Sequence, residues 1–249
     1  MEAAEYDTMA QLEESYWWYL GLRRMVLKAL RIGLGEKPRL KILDAGCGTG
    51  GGMASLARAF PGSLIVGTDV ASAAIRYSML RHAGPVLPGS VDSLPFREAI
   101  FDVVLLIDLL YIRGVNDSMA LREACRVLRP GGILVVNVPA FEWLQGRHDI
   151  AVHTRHRYRR SELRRLLTSH GFAVKQILYW NALFLPLVFV VRRLLIRGSK
   201  DVVARSDLRS LPRGLNWLLA KLLFLDTWIC GMVSIPFGTS VFGVACKVR

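Results

Sequence analysis

The sequence of 249 residues is long enough for one large domain, alone or with a sizeable insertion. A net charge of +13 together with 52% hydrophobic residues predicts a basic surface for anionic partners and more apolar area than a core requires. The four cysteines form no C-x-x-C pair and Met1 is followed by acidic residues. These features argue against structural zinc and a secretory signal, and they predict a cytoplasmic protein.

The first 36 residues are predicted to form a leading helix that packs on the rest of the chain. Apolar residues recur there at helical spacing: Met9, Leu12, Tyr16, Tyr19, Leu20, Leu27 and Leu30. The helix is expected to end near Gly33. Core packing is the first interpretation of its adjacent tryptophans, Trp17 and Trp18.

A buried strand followed by a glycine-rich loop organises the chain. Residues 40–43 are an apolar run that ends in Asp44, and the loop after it contains Gly46, Gly48 and Gly51. These glycines fit the G-x-G-x-x-G spacing of dinucleotide-binding loops, in which missing side chains let the backbone approach a ligand. The spacing alone does not select the ligand.

Asp44 favours a cationic ligand over a phosphorylated one, because a carboxylate beside the first glycine would repel a pyrophosphate. The cationic sulfonium and ammonium groups of S-adenosylmethionine would be attracted instead. Asp44, Gly46, Gly48 and Gly50 resemble the first motif of the class I S-adenosylmethionine-dependent methyltransferases, Asp/Glu-x-Gly-x-Gly-x-Gly. The resemblance implies an α/β fold, a Rossmann-like doubly wound seven-stranded sheet with an antiparallel last strand. It also implies cofactor contacts from Asp44, Gly46, Cys47 and Gly48.

The same family resemblance gives the leading helix a second interpretation. The run Tyr-Trp-Trp-Tyr-Leu-Gly-Leu-Arg-Arg, residues 16–24, is similar to an N-terminal element that closes over the cofactor in many of these enzymes. This implies that Trp18 lies at the cofactor and that Arg23 pairs with its methionine carboxylate. Core packing of Trp18 and a solvated position for Arg23 remain the alternatives.

Two further acidic positions follow the order of the family's cofactor-binding segments. Residues 63–69 are predicted as a strand ending in Asp69, which lies 23 residues beyond Gly46, a separation that would also suit the ribose of NAD. The resemblance assigns Asp69, with the adjacent Val70, to the cofactor ribose; the alternative is a helix N-cap for residues 72–81. After a short strand at residues 86–88, Asp92 and the backbone of Ser93 correspond to the adenine-contacting segment.

Asp108 is a fourth candidate cofactor-binding residue. It follows residues 100–107, which are predicted as a fully buried strand, and open α/β sheets bind ligands at the carboxyl ends of their strands. Tyr111 is a candidate for the pocket wall. Residues 117–128 are predicted as an amphipathic helix, and the turn Arg129-Pro130-Gly131-Gly132 before a strand at residues 133–138 is common in the family.

The basic segment at residues 147–165 follows that strand and contains seven arginines, two acids and three histidines. Such a run is usually a solvated face, but its position predicts that it borders the entrance for the methyl acceptor. His148 and Asp149 resemble a His-Asp pair of a subgroup of the family, which makes His148 the candidate catalytic base. Ser161 is predicted to cap a helix that ends at His170, and residues 172–179 and 239–248 are predicted as the last two strands.

An insertion at residues 181–237 separates these last strands. Residues 182–191 are apolar but too few to cross a bilayer, while residues 215–237 contain Lys221 and Asp226, which make spanning costly. Between them, residues 192–213 hold seven basic and two acidic groups, a net charge of +5. The two interpretations are an interfacial membrane anchor and a lid or dimer interface.

The sequence therefore predicts a core at residues 37–180 and 238–249, with residues 1–36 as a cofactor-covering helix. The expected function is transfer of a methyl group, to oxygen, on a hydrophobic or lipid-linked small molecule or glycan at the inner membrane face. His148 would take the proton of a hydroxyl acceptor, and no metal is expected. Alternatives are an RNA methyltransferase using the basic rim, which has only Tyr158 for stacking, and a non-catalytic membrane-associated protein with this fold. The acceptor and the oligomeric state stay open.

Overall fold

A computed structural model describes residues 3–34, 39–196 and 210–248 of the chain. Its centre is a seven-stranded sheet in the order β3-β2-β1-β4-β5-β7-β6. The strands are β1 Lys41–Ala45, β2 Leu64–Asp69, β3 Val86–Pro88, β4 Phe101–Ile107, β5 Leu128–Pro139, β6 Phe172–Trp180 and β7 Ser240–Lys247. β1 to β5 pair in parallel, and β7 is inserted antiparallel between β5 and β6. This confirms the predicted Rossmann-like sheet with an antiparallel last strand.

Helices cover both faces of the sheet. They are α1 Ala3–Leu12, α2 Trp17–Leu34, α3 Gly51–Ala59, α4 Ser72–Leu80, α5 Asp117–Val127, α6 Arg147–Ala151, α7 Arg160–Ser169, α8 Leu185–Ile196 and α9 Arg213–Met232, with a 3-10 turn at Glu142–Leu144. Side chains alternate along the buried strands, so Val104 of β4 packs with Leu121 and Leu163 on one face. Its neighbour Val103 packs on the other face, in a core that contains Leu30 of α2 and Leu223 of α9.

The N-terminal segment differs from the single helix that the spacing predicts. It forms two helices, α1 and α2, separated by residues 13–16. Glu13 lies in this break with 2% of its surface exposed. Its carboxylate accepts a hydrogen bond from Thr49 Oγ1 at 2.5 Å, a contact with a residue far along the chain that local spacing does not reveal.

Two smaller differences concern element ends. Residues 129–132 do not separate a helix from a strand as predicted; they form an irregularity inside β5, where Phe101 pairs with Leu128 but Val103 pairs with Ile133. Ser161 does not cap the helix as predicted, because the helix begins at Arg160 and Arg159 is its N-cap residue. The carboxylate of Glu162 accepts a hydrogen bond from the Arg159 amide at 3.3 Å, which satisfies the helix start without Ser161.

The insertion packs on the domain through α9. Its Leu223 side chain lies so close to α2 that a Cβ atom added to Gly21 would fall 2.1 Å from Leu223 Cδ2. The buried carboxylate of Asp226 accepts hydrogen bonds from the amides of Asn181, Ala182 and Leu183 at 2.6, 2.7 and 2.8 Å. These contacts join α9 to both the N-terminal helices and the end of β6. Four basic residues of the predicted anchor, Arg197, Lys200, Arg205 and Arg209, lie outside the described residues.

Candidate active site

The glycine loop between β1 and α3 forms the floor of the candidate site. Gly46, Gly48 and Gly50 have φ values of 79°, 53° and 84°, a left-handed conformation that side chains other than glycine rarely adopt. At Gly50 an added Cβ would also fall 2.8 Å from the Cα of Ser78. The loop therefore requires glycine here for both its conformation and its space.

Two predicted acids, Asp44 and Asp69, meet at this loop. They occupy the carboxyl ends of the neighbouring strands β1 and β2. Asp69 Oδ2 accepts a hydrogen bond from the Gly48 amide at 3.0 Å, and Oδ1 accepts one from the Ala71 amide at 2.9 Å. Asp69 thus positions the glycine loop in addition to its predicted role at the ribose.

Asp44 is buried in an acidic environment. Burial, followed by the neighbouring carboxylates of Asp69 and Glu13, raises its pKa from 3.8 to about 7, against an opposing effect of Arg23. Carboxylates this close together destabilise one another's charge. A cation bound between them would be strongly favoured, and an added phosphate would be disfavoured.

Asp108 lies directly after β4 with a left-handed φ of 53°. Burial raises its pKa to about 6, and a hydrogen bond from Asn137 opposes that shift. The Asn137 Nδ2 donates to Asp108 Oδ1 at 2.8 Å, and Trp180 Nε1 donates to Asn137 Oδ1 at 2.9 Å. Asn137 and Trp180 were not among the predicted site residues, because nothing in their local sequence marks them.

Trp18 stacks on Trp180, with ring centroids 4.9 Å apart and an interplanar angle of 18°. This contact agrees with the core-packing interpretation of Trp18. It also connects Trp18 to Asp108 through Trp180 and Asn137. Trp18 therefore packs on the tryptophan that orients Asn137.

Arg23 lies beside the carboxylate of Glu13, a residue that was not among the predicted site residues. Its Nη2 lies 3.4 Å from Glu13 Oε2, and Arg81 Nη2 lies 2.6 Å from Glu13 Oε1. The Glu13 carboxylate is also close to the start of α3, since a Cβ added to Gly51 would fall 2.5 Å from it. Glu13 is one of five acids in the first fourteen residues, so its special position was not visible in the sequence.

The helix α1 covers the glycine loop. A Cβ added to Gly48 would fall 3.0 Å from the methyl group of Met9. Tyr6 is buried on the same helix, and burial together with the charge of Asp69 raises its pKa to about 12. The element that lies over the loop is therefore α1, whereas Trp18 belongs to α2.

The remaining predicted cofactor-binding residues lie around the loop. Cys47 is buried, and its Sγ is 3.9 Å from Ser78 Oγ; Val70 is exposed in the turn after β2. The Asp92 carboxylate accepts hydrogen bonds from the Asn116 amide at 3.2 and 3.1 Å. The Ser93 amide donates to the Ser90 carbonyl at 3.1 Å. Asp92 therefore also stabilises the start of α5.

The basic segment has a largely structural role where it is buried. Arg157 Nε and Nη2 donate to the two oxygens of Asp149 at 2.8 and 3.2 Å, both side chains being buried. Both carboxylate oxygens of Asp149 are thus bound by Arg157. His148 precedes it on α6, after the carboxyl end of β5, and is partly exposed.

The same segment offers no stacking aromatic at its surface. Tyr158 is 1% exposed, and its hydroxyl donates to Asp117 Oδ2 at 3.0 Å. Arg155 Nη2 binds the same carboxylate oxygen at 3.0 Å. Tyr158, the residue that the RNA methyltransferase interpretation needed for stacking on bases, is therefore part of the core.

Comparison with known proteins finds a similarity over the middle part of the chain. Residues 43–136 match the family model described as a methyltransferase domain.

Two curated relatives resemble parts of the chain. The malonyl-[acyl-carrier protein] O-methyltransferase of Herminiimonas arsenicoxydans is 33% identical over 133 residues, 53% of this chain and 46% of that protein. The fatty-acid O-methyltransferase of Mycolicibacterium smegmatis is 39% identical over 95 residues, 37% of this chain and 34% of that protein. The chain thus matches less than half of each relative's length.

The fold of the chain also has solved counterparts. It is similar to geranyl diphosphate C-methyltransferase from Streptomyces coelicolor, with a TM-score of 0.58 and 18% identity over 90% of this chain and 78% of that chain. That protein was crystallised with geranyl diphosphate, Mg²⁺ and S-adenosyl-L-homocysteine. The likeness establishes the class I methyltransferase fold.

The residues present fit S-adenosylmethionine. The left-handed glycines leave backbone surface free of side chains, and Asp44 is buried close to the carboxylates of Asp69 and Glu13. A sulfonium and an ammonium group would relieve this repulsion, whereas the pyrophosphate of a dinucleotide would add to it. Asp44, Asp69 and the loop glycines are the residues that would hold the cofactor.

Proposed function

We propose that this protein is an S-adenosylmethionine-dependent methyltransferase that methylates an oxygen atom of a hydrophobic or lipid-linked acceptor at the inner membrane face. The observation that carries the proposal is the burial of Asp44 beside Asp69 and Glu13 at a left-handed glycine loop. The acceptor class is supported by relatives named as O-methyltransferases of a fatty acid and of malonyl-[acyl-carrier protein]. Exposed apolar side chains on the insertion also support it.

Binding and water exclusion are the main contributions of the protein to such a reaction. S-adenosylmethionine supplies, when bound, an electrophilic methyl group on a positively charged sulfur. Asp44 would stabilise the cationic part of the ligand before reaction, and Gly46 and Gly48 let the backbone approach it. The cover formed by α1 excludes water from the loop, which keeps these electrostatic interactions strong.

A hydroxyl or carboxyl acceptor must be deprotonated when its oxygen is methylated. His148 is the proposed base, because a histidine ordinarily titrates near neutral pH and can accept a proton from a hydroxyl. It lies on α6, on the same side of the sheet as the carboxyl end of β5. Asp149 does not act with it as a pair in this proposal, since its carboxylate binds Arg157.

Cofactor selectivity tests the proposal most directly. S-adenosylmethionine should raise the thermal unfolding temperature of the protein, and NAD should not, because only a ligand that binds the folded state stabilises it. The variant Asp44→Asn should weaken S-adenosylmethionine binding by about tenfold or more, since a charged contact is lost. Titration calorimetry measures the affinity of the parent and of the variant for S-adenosylmethionine.

The matched control is Glu98→Gln, which removes one negative charge at an exposed position and should leave the affinity unchanged. Stabilisation by NAD alone would contradict the proposal. Binding of S-adenosylmethionine without methyl transfer to fatty-acid, isoprenoid or glycolipid hydroxyl and carboxyl groups would favour the non-catalytic alternative.

A further inference from the structure

An apolar stripe runs along the outer face of α9. Leu215, Leu218, Leu222, Leu225 and Met232 recur at intervals of three, four and seven residues, and each is between 38% and 67% exposed. Trp217 and Trp228 are exposed on the same helix at 61% and 56%. Because the residues that face the domain, including Ala220 and Leu223, are buried, α9 is apolar on both its inner and its outer side.

The inner contacts hold α9 against the domain. Within the described ranges, α9 is the one helix long and apolar enough to cross a membrane by length and composition. Crossing would separate Leu223 from Gly21 and break the three hydrogen bonds that Asp226 accepts. It would also place Asp226 and Lys221 in hydrocarbon at considerable cost. The contacts therefore favour a helix that lies along a surface.

The exposed apolar surface continues onto α8 and reaches the edge of the sheet. Leu187, Phe189 and Val190 of α8 are exposed, and the Phe189 ring lies 5.7 Å from the ring of Trp143. Trp143, itself exposed, sits in the 3-10 turn that follows the carboxyl end of β5. The surface thus extends to the side of the sheet on which the candidate site lies.

Charge distinguishes the possible occupants of this surface. Arg213 and Lys221 are exposed on α9, with the Lys221 Nζ 5.5 Å from the centre of the Trp217 ring. Residues 192–213 carry a net charge of +5 in a chain of net charge +13. A second copy would bring the same positive charge to the interface, whereas an anionic bilayer is complementary to it.

We infer that the outer faces of α8 and α9 dock on an anionic lipid bilayer, with α9 lying parallel to the membrane plane. Tryptophan and basic side chains beside an apolar stripe are the composition that stabilises a helix at the interface between headgroups and acyl chains. The inference rests on the proposed function for one point only, that the acceptor is drawn from this membrane. Docking itself does not require catalysis.

Vesicle flotation with two matched double variants tests the inference. The full chain is mixed with vesicles of phosphatidylcholine and phosphatidylglycerol, or of phosphatidylcholine alone. Leu218→Glu with Leu225→Glu alters two stripe residues that are 48% and 46% exposed. Met79→Glu with Met119→Glu makes the same charge change on α4 and α5, at residues that are 56% and 47% exposed. The stripe variant should reduce flotation by about tenfold or more, and the control should float like the parent.

Flotation with anionic vesicles that the stripe variant loses and the control keeps supports docking. No flotation of the parent, or equal flotation of both variants, overturns it. A parent that does not float but dimerises in light scattering through the stripe would assign the surface to a second copy and also overturn it. Cofactor binding is measured separately on the same samples. A chain that floats without binding S-adenosylmethionine refutes methyl transfer as the function and leaves docking standing. One that binds it without floating refutes docking, together with the membrane location in the proposed function, and leaves methyl transfer standing.

Discussion

Trp180 donates a hydrogen bond from its indole Nε1 to Oδ1 of Asn137 at 2.9 Å, deep in the core. The amide of Asn137 is thereby fixed in one orientation, with its Nδ2 directed to Asp108 at 2.8 Å. A buried amide cannot exchange its oxygen and nitrogen without losing both bonds. The orientation of a carboxylate at the carboxyl edge of the sheet therefore depends on a tryptophan two side chains away.

The variant Trp180→Phe tests this dependence. The aromatic ring against Trp18 is retained, but the buried Asn137 oxygen loses its donor, which should cost about 1–3 kcal/mol of unfolding free energy. A loosened Asn137 should also let the pKa of Asp108 rise above about 6, because its hydrogen bond lowers that pKa. Denaturant unfolding and an NMR titration of the labelled aspartate carboxyl measure the two effects. Trp228→Phe, at an exposed site, is the control, and identical behaviour of the two variants would refute the dependence.

Asp44 should make stability depend on pH in the absence of cofactor. Its pKa is raised from 3.8 to about 7, so between these values the folded state binds more protons than the unfolded state. Stability should therefore fall as pH rises through this window. Asp44→Asn should lessen that fall and be more stable than the parent above pH 7, by several degrees in unfolding temperature. Calorimetric scans across the window measure this; a parent whose stability rises with pH more steeply than that of the variant would contradict it.

Glu13 should hold the cover over the glycine loop. Glu13→Gln keeps the size of the side chain but removes the charge that faces Arg81 and Arg23. We expect the free energy of unfolding to fall by about 1–3 kcal/mol, because hydrogen bonds between ionised groups are stronger than neutral ones. Amide hydrogen exchange should increase in α1 more than in α5. Glu5→Gln, at a partly exposed position in the same helix, is the control, and unchanged exchange in α1 would show that Glu13 is not its anchor.

Asp226 should be essential for the packing of the insertion. Its two oxygens accept three backbone hydrogen bonds, and Asn at this position can accept through one oxygen only. Asp226→Asn should therefore destabilise the protein by about 2–4 kcal/mol, as expected for unsatisfied buried amides. Chemical unfolding followed by tryptophan fluorescence reports the loss. A variant as stable as the parent would indicate that these amides find other acceptors.

Much of the sheet was predictable from local sequence because β1, β2 and β4 each contain an apolar run with an acid at or directly after its end. The run before Asp44 and the run before Asp108 each give one buried strand within one or two residues of its observed ends. The position of Asp44 at the loop follows from chain connectivity alone. Such features need no knowledge of distant contacts.

The residues that hold the site residues in place were not predictable from local sequence. Glu13 binds Thr49, which is 36 residues away, and Asn137 binds Trp180, which is 43 residues away. No periodicity in the sequence records such pairs. The break between α1 and α2 has the same origin, since it accompanies the inward turn of Glu13. Helix propensity and spacing describe the neighbourhood of a residue, whereas these contacts are set by the assembled fold.

The turn between α1 and α2 has one further partner, on the insertion. Asn216 of α9 accepts a hydrogen bond from the Trp17 amide at 3.0 Å and donates one to the Ser15 carbonyl at 2.8 Å. The hinge of the cover over the cofactor loop is thus tied to the same helix that carries the exposed apolar stripe. Because Asn216 joins α9 to this turn, we expect a partner bound to α9 to change the rate at which the cofactor exchanges.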